Sequence, residues 1–366
     1  MSEKLKILEE LIAKNGCDAA ALMISPNFCW LTEVEKELGE RPMLLLAAPG
    51  KKPALVLPAF ELGAAEKFAI EFEPFTYGDD PAFWGEAFAK AGIYLNLDGK
   101  TIAVEPLHLR YRETLYLQNA LPGCHIADAS EMFSTLRLHK TADEVKKMRK
   151  AVEIAQTALD ETLKLVRLGV TERELCAELV SQMLRLGSQP QFPFYPIIAG
   201  GPNSADPHSA VSDRPLEWGD FLLFDWGARY EGYCSDITRT FVFGEATDKQ
   251  MDVYHTVLNA NQAALESAQI GMECGAVDKA ARDVITAKGY GEYFTHRLGH
   301  GMGMEDHEEP FMFAGNPKLI EAGMCFSDEP GIYIPNWGGV RIEDDIFMTT
   351  EGGIFLTDYP RELRVL

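Results

Sequence analysis

Apolar residues recur along this chain with two different spacings, and the changes between them outline its elements. Leu5, Leu8, Leu11 and Ile12 fall on one side of a charged stretch between Met1 and Asn15, the spacing of an amphipathic helix. Residues 18–23, 43–48 and 54–57 are instead short continuous apolar runs. They read as strands, with Gly50-Lys51-Lys52-Pro53 as the turn between the second and third. Residues 102–104 make another strand and 111–118 a helix, so the first third is predicted to be a small α/β domain. No catalytic constellation stands in it. His108 and His125 are isolated there and read as surface or structural residues.

A boundary falls near residues 135–142. Thr141 followed three residues later by Glu144 has the form of a capping box, and Val145, Met148, Val152, Ala155, Leu159 and Leu163 then recur at helical spacing up to about Gly169. Thr171 and Glu174 open a second capped helix, with Leu175, Leu179 and Met183 on one face and Gly187 as its stop. Strand patterns follow at 221–226 and 234–243, then helices at 249–268 and 276–288, then strands and loops to the end. The region after 142 thus reads twice as two helices followed by strands, the pattern of a duplicated α+β unit. Two domains, 1–138 and 139–366, are expected, as is usual for a chain of 366 residues.

Composition narrows the function. A net charge of −22 opposes nucleic acid and anionic membrane surfaces, whose partners need Lys and Arg, and it suits a site that gathers cations. Seven cysteines, an odd number with no C-x-x-C, point to a reduced, cytoplasmic chain. The N-terminal stretch lacks the apolar core of a signal peptide, and no apolar run is long enough to span a bilayer.

Carboxylates in expensive places carry the candidate chemistry. Asp225 ends the apolar run 221–226, and a turn at Tyr230-Glu231-Gly232-Tyr233 leads to Asp236, so a hairpin would bring the two acids together. Buried acids in one site need a neutralising charge. A divalent cation supplies it, and a structural Asp or an ion pair with Arg239 is the alternative. His296, His300 and His307 put three of the eight histidines within twelve residues, among glycines that allow close backbone approach and oppose a helix. Glu329 lies in Asp328-Glu329-Pro330-Gly331, and Glu343 sits mid-strand by pattern between Ile342 and Ile346. A turn carboxylate and an edge-strand charge are the plainer readings of these two. Together the four segments offer four carboxylates and one imidazole, a donor set for Mn²⁺, Co²⁺ or Zn²⁺. Paired ions about 3.5–4 Å apart activate water for hydrolysis.

These motifs resemble a known family. Asp-x-Gly…Tyr-x-Ser-Asp-Ile-Thr-Arg-Thr (225–240), Gly-His-Gly-x-Gly…His-Glu (299–308), Glu-Pro-Gly-Ile-Tyr (329–333) and Val-Arg-Ile-Glu-Asp (340–344) stand in the order found in the pita-bread metallopeptidases. Those include methionine aminopeptidase, aminopeptidase P and prolidase. Ser-Pro-Asn…Trp-Leu-Thr (25–32) and Leu-Arg-Leu-His-Lys-Thr (136–141) are similar to the creatinase-like N-terminal domain of the proline-specific branch.

The resemblance implies a creatinase-like α/β domain followed by an α+β pita-bread catalytic domain. It implies two divalent ions, with Asp225 on one, His300 and Glu329 on the other, and Asp236 and Glu343 bridging. It further implies hydrolysis of the Xaa-Pro bond in small proline-containing peptides by a hydroxide between the metals, with Glu329 moving the proton. His208 would touch substrate, His307 would stabilise the oxyanion, and Arg341 would support the bridging Glu343. Many such prolidases carry an Arg shortly after the His-Glu pair to bind a dipeptide's carboxylate. Residues 309–314 hold none here, which makes an Xaa-Pro aminopeptidase acting on longer peptides the near alternative. A creatinase-like C–N hydrolase and a non-catalytic binding protein are further alternatives, opposed by the five filled ligand positions. The N-terminal domain is expected to mediate a homodimer.

Overall fold

The computed structural model describes residues 2–366 and divides into two compact units, Met1–Arg137 and Leu138–Leu366. In the first unit the strands are β1 (Ala19–Met23), β2 (Leu44–Ala47), β3 (Ala54–Pro58), β4 (Glu73–Tyr77), β5 (Thr101–Val104) and β6 (His125–Asp128). Its helices are α1 (Glu3–Lys14), α2 (Pro26–Thr32), α3 (Leu62–Ala65), α4 (Trp84–Leu95), α5 (Tyr111–Ala120) and α6 (Ser130–Ser134). The strands form one mixed sheet in the order β4-β3-β2-β1-β5-β6, antiparallel from β1 to β3 and parallel elsewhere. The continuous apolar runs of β1 to β3 are buried along their whole length, as expected for strands covered on both faces.

Polar residues in this unit serve structure. Ser25 caps α2, accepting from the Phe28 amide at 3.2 Å, and Pro26 takes the first helical position, where its missing N–H is harmless. Ser25 and Asn27 also donate to buried Glu105, at 2.9 and 2.6 Å, and Arg137 donates to Asn27 at 2.8 Å. Ser25, Asn27 and Arg137 thus form one network around a buried acid inside this unit. His125 is exposed on β6, and the His108 amide donates to the Glu105 carbonyl at 3.0 Å.

The second unit opens with α7 (Ala142–Leu163) and α8 (Glu172–Arg185). Both predicted capping boxes are formed, Thr141 with Glu144 and Thr171 with Glu174. The first helix stops at Leu163, short of the expected Gly169, which instead turns at φ +79° and donates to the Leu216 carbonyl. Strands β7 (Ile197–Gly200), β8 (Phe221–Trp226), β9 (Arg229–Tyr230), β10 (Tyr233–Cys234) and β11 (Ile237–Val242) follow, then α9 (Asp248–Ser267) and α10 (Cys274–Ala287). The rest is strands: β12 (Gly299–Gly301), β13 (Glu308–Met312), β14 (Cys325–Asp328), β15 (Gly331–Ile334), β16 (Gly338–Arg341), β17 (Asp344–Thr349) and β18 (Gly352–Phe355).

Repetition of two helices followed by strands is real in space. Val145, Met148, Leu159 and Leu179 of α7 and α8 pack with Phe224, Trp226 and Phe241 of the sheet β11-β8-β7. Val253, Val257, Val277 and Ala281 of α9 and α10 pack with Phe326, Ile346 and Met348 of the sheet β13-β12-β14-β17-β18. Each helix pair therefore closes one face of its own sheet, and the Trp226 indole donates to the Ala155 carbonyl at 2.9 Å to tie α7 to the first. Arg239, read above as a possible partner for the site acids, instead pairs with Asp344 at 2.7 Å in a nearly dry position.

Candidate metal centre

The site forms where the two sheets of the second unit meet. Asp225 is on β8, opposite Ile197 of β7 and Thr238 of β11. The turn back is a two-residue one, with Glu231 at φ +45° and Gly232 at φ +82°, which suits the right-handed twist of a hairpin. The returning strand is not continuous as the pattern predicts. It breaks between Cys234 and Ile237, because the Ser235 amide turns to the Ala228 carbonyl and the Asp236 amide to Asp345 Oδ2. That break frees Asp236 from the ladder, beside Asp225.

Glu343 departs from expectation in the same way. It lies between β16 and β17, where the chain leaves a two-stranded ribbon for the five-stranded sheet. Its amide donates to the Thr238 carbonyl at 3.1 Å, and its Oε2 accepts from the Thr238 hydroxyl at 2.5 Å. His300 sits in β12 between two glycines that only a bare backbone fits. A Cβ on Gly299 would lie 2.0 Å from the Ser327 carbonyl oxygen, and one on Gly301 2.2 Å from that of Glu309. Its Nδ1 meets the Gly301 carbonyl at 3.2 Å, which turns Nε2 toward Glu329 Oε1 at 3.3 Å and Asp236 Oδ2 at 3.7 Å.

One cavity of about 500 Å³ is lined by Asp225, Asp236, His300, Glu329 and Glu343, together with His208, His307 and Arg341. All eight residues singled out in the sequence therefore share one space. His208 and His307 are exposed, whereas Asp225, Asp236, His300 and Glu343 are buried and Glu329 is half-buried. Arg341 is bonded to Asp225 and not to Glu343; its other donors reach the Thr238 hydroxyl at 3.0 Å and the Tyr333 hydroxyl at 2.8 Å.

Electrostatics make this cluster unstable by itself. Burial first, then the neighbouring Glu343, pushes the Asp236 carboxyl well above the carboxylate range. Burial and then Glu329 do the same to Glu343, and burial raises Asp225 against the pull of Arg341. Glu329 is the exception: although burial opposes ionisation, the His300 hydrogen bond and charge hold it down at about 2. Asp225 Oδ1 and Asp236 Oδ1 are buried and have no hydrogen-bond partner. Donor atoms of Asp236, His300 and Glu343 all lie within 4.8 Å of one another. Orphaned acceptors, converging carboxylates and one oriented imidazole are what a divalent cation fits.

Other lining residues carry no assignment from the sequence. Phe194, Tyr195 and Ile197 make an apolar wall of the cavity. Arg297 also lines the cavity. Its guanidinium lies 4.3 Å over the Phe311 ring and has no hydrogen bond or ion pair among the described residues. Tyr333, the last residue of the Glu-Pro-Gly-Ile-Tyr run, meets His296 Nε2 at 2.9 Å as well as Arg341, and burial pushes its phenol up to about 12.

A fold of paired helices over two sheets, holding carboxylates and an imidazole in a cleft, defines a metal-dependent hydrolase. The chain belongs to metallopeptidase family M24, whose model matches residues 146–350, and residues 4–139 match the creatinase/prolidase N-terminal domain. It is 37% identical over 360 residues to an Xaa-Pro dipeptidase of Lactobacillus delbrueckii subsp. lactis, covering 98% of each chain. The solved Xaa-Pro dipeptidase from Bacillus anthracis superposes with a TM-score of 0.92 at 34% identity, over 100% of this chain and 99% of that one. An X-Pro aminopeptidase from Thermotoga maritima superposes at 0.85 with 30% identity, over 98% and 100%.

Proposed function

We propose that this protein is an Xaa-Pro dipeptidase that works with two divalent ions, held by Asp225, Asp236, His300, Glu329 and Glu343. The observation that carries the reading is that these five donors line one cavity, Asp225 and Asp236 each with an orphaned oxygen there. Metal when bound supplies charge neutralisation, Lewis acidity toward the scissile carbonyl and a water acidic enough to attack it.

The chain's own groups do the rest. Glu329, kept ionised beside His300, takes the proton of the attacking water and returns it to the departing proline nitrogen. His307 Nδ1 meets Asp306 Oδ2 at 3.1 Å, which leaves Nε2 for the substrate oxygen as negative charge develops there. His208 contacts the substrate from the opposite loop, and Phe194, Tyr195 and Ile197 offer the proline ring an apolar surface. Arg341 fixes Asp225 and Tyr333 from behind the cluster.

Arg297 favours dipeptides over longer peptides. Two arginines line the cavity, and Arg341 is consumed by Asp225, which leaves Arg297 as the fork that can pair with a free C-terminal carboxylate. The test is a panel of Xaa-Pro dipeptides, the same dipeptides amidated at the C-terminus, and Xaa-Pro tripeptides, assayed with Mn²⁺, Co²⁺ or Zn²⁺. Dipeptides are the expected substrates; no cleavage of any Xaa-Pro bond overturns the reading. Arg297→Ala is expected to raise KM for the free dipeptide by about 10- to 100-fold, as for a lost charge-assisted bond. Amidated substrate should be hydrolysed equally by parent and variant. Equal KM values for the free dipeptide would leave tripeptide cleavage by an aminopeptidase as the better account.

Two further readings complete the proposal. A homodimer formed through the first unit is supported by its exposed apolar side chains, with Leu107 94% and Tyr111 76% exposed. Light scattering at micromolar concentration should return twice the chain mass, and a monomer there rules it out. A cytoplasmic location is supported by seven cysteines, none in a disulfide among the described residues. Among the described residues no helix is long and apolar enough to cross a membrane.

A further inference from the structure

We propose that a buried ion pair between Lys140 and Glu308 is a positioning device for His307, the residue that the functional reading above places against the substrate oxygen. Lys140 Nζ donates to Glu308 Oε1 at 2.5 Å, and the side chains are 2% and 7% exposed. Lys140 is itself fixed from both sides. Its amide donates to the Gly323 carbonyl at 2.7 Å, and the next residue, Thr141, caps α7. Glu308 directly follows His307 and opens β13, so whatever holds Glu308 sets where His307 leaves the strand.

Other holds on this segment lie farther along the chain from His307: the Cys234 amide donates to the Gly303 carbonyl at 2.7 Å, Arg229 to the Met304 carbonyl at 2.8 Å and Lys318 to Glu309 at 3.2 Å. His307 is half exposed, and its one side-chain hydrogen bond among the described residues is to its own neighbour Asp306, which travels with the same loop. The ladder between β12 and β13 is irregular at this point: His300 pairs with Phe311 but Gly301 pairs with Glu308, a shift in register between consecutive residues. Backbone pairing therefore leaves the start of β13 loosely defined. The ion pair fixes it, and Gly303 is bare where the pair sits: a Cβ there would lie 2.6 Å from Glu308 Oε1 and 2.8 Å from Lys140 Cε. With the start of β13 held, the His307 ring stacks on that of His300, centroids 3.7 Å apart and planes 22° from parallel. The stack aligns an exposed histidine with a buried ligand, and the Lys140–Glu308 pair keeps it in register.

Removing only one partner would strand a buried charge and confound folding with function, so the test replaces both. In Lys140→Met/Glu308→Met we expect a parental metal content, a melting temperature within a few degrees of the parent, and kcat on an Xaa-Pro dipeptide lower by about 10-fold, since misplacement on the scale of 1 Å is costly in kcat. The decisive readout is the cycle with His307→Ala. If the pair acts through His307, the double substitution should change kcat less than about two-fold in the His307→Ala background.

A full 10-fold loss in that background, a parental kcat for the double variant, or loss of metal from it would each overturn the proposal. Should the double variant fail to fold, Lys140→Arg keeps the charge and alters the geometry, and the same cycle is run on it with the same outcomes. Failure of the broader reading looks different: His307→Ala then retains parental kcat, whatever the pair does.

Discussion

Removal of bound metal should lower the melting temperature by about 5–10 °C and abolish turnover, and returning Mn²⁺ or Co²⁺ should restore both. The scale follows from mass action: a ligand at about 100 times its Kd stabilises by about 2.7 kcal/mol, and about 2–4 °C follows per kcal/mol in a domain of roughly 150–250 residues. The direction follows from the site. Burial and mutual repulsion push the carboxyls of Asp225, Asp236 and Glu343 upward, and two of their oxygens are buried without partners. A cation relieves all of this at once and binds only the folded arrangement. Differential scanning fluorimetry with and without chelator, beside elemental analysis of the active protein, measures both effects. A melting temperature that does not move, or full activity in metal-free protein, contradicts the assignment of these residues as ligands.

Glu329→Ala and His307→Ala should both silence the enzyme, and for different reasons. Glu329 lies half-buried 3.3 Å from His300 Nε2 and is assigned both a metal and a proton, so its removal should take metal content and turnover together. His307 is exposed and lies outside the cluster of donors. Its removal should leave metal content and melting temperature near parental while kcat falls by roughly 10²–10³, the effect of deleting one oxyanion donor. Because that contact is made mainly in the transition state, kcat and kcat/KM should fall together. Metal content, melting temperature and kcat measured side by side separate the two. Near-parental kcat in His307→Ala would make it a structural loop histidine.

Much of this was legible in the sequence because the relevant physics is local. Both capping boxes form as Thr141/Glu144 and Thr171/Glu174 predict, since a cap is satisfied within four residues. The short apolar runs at 44–47 and 221–226 are strands buried along their whole length, as their length and the turn residues around them predict. The candidate metal centre was legible for the opposite reason. Asp225, Asp236, Glu329 and Glu343 stand in or beside apolar strand segments, where an acid without a partner is costly, and such departures from the pattern mark candidate function.

What the tertiary structure alone decided concerns partners far apart in the chain. Arg239 could have neutralised Asp225 or Asp236 by spacing, yet it pairs with Asp344, over 100 residues away, because the crossing of two sheets brings them together. Arg341 likewise holds Asp225 in place of its near neighbour Glu343. Arg297 gave no signal in the sequence, since only the stacking of its guanidinium over Phe311 sets it at the cavity wall with no hydrogen bond or ion pair among the described residues. Strand ends at Asp236 and Glu343 were misplaced by pattern, because each leaves its ladder for a bond to a distant segment, Asp345 in one case and Thr238 in the other. Sequence spacing determines caps, strands and the types of ligand. Which charge meets which is determined by the meeting of two sheets that no local pattern encodes.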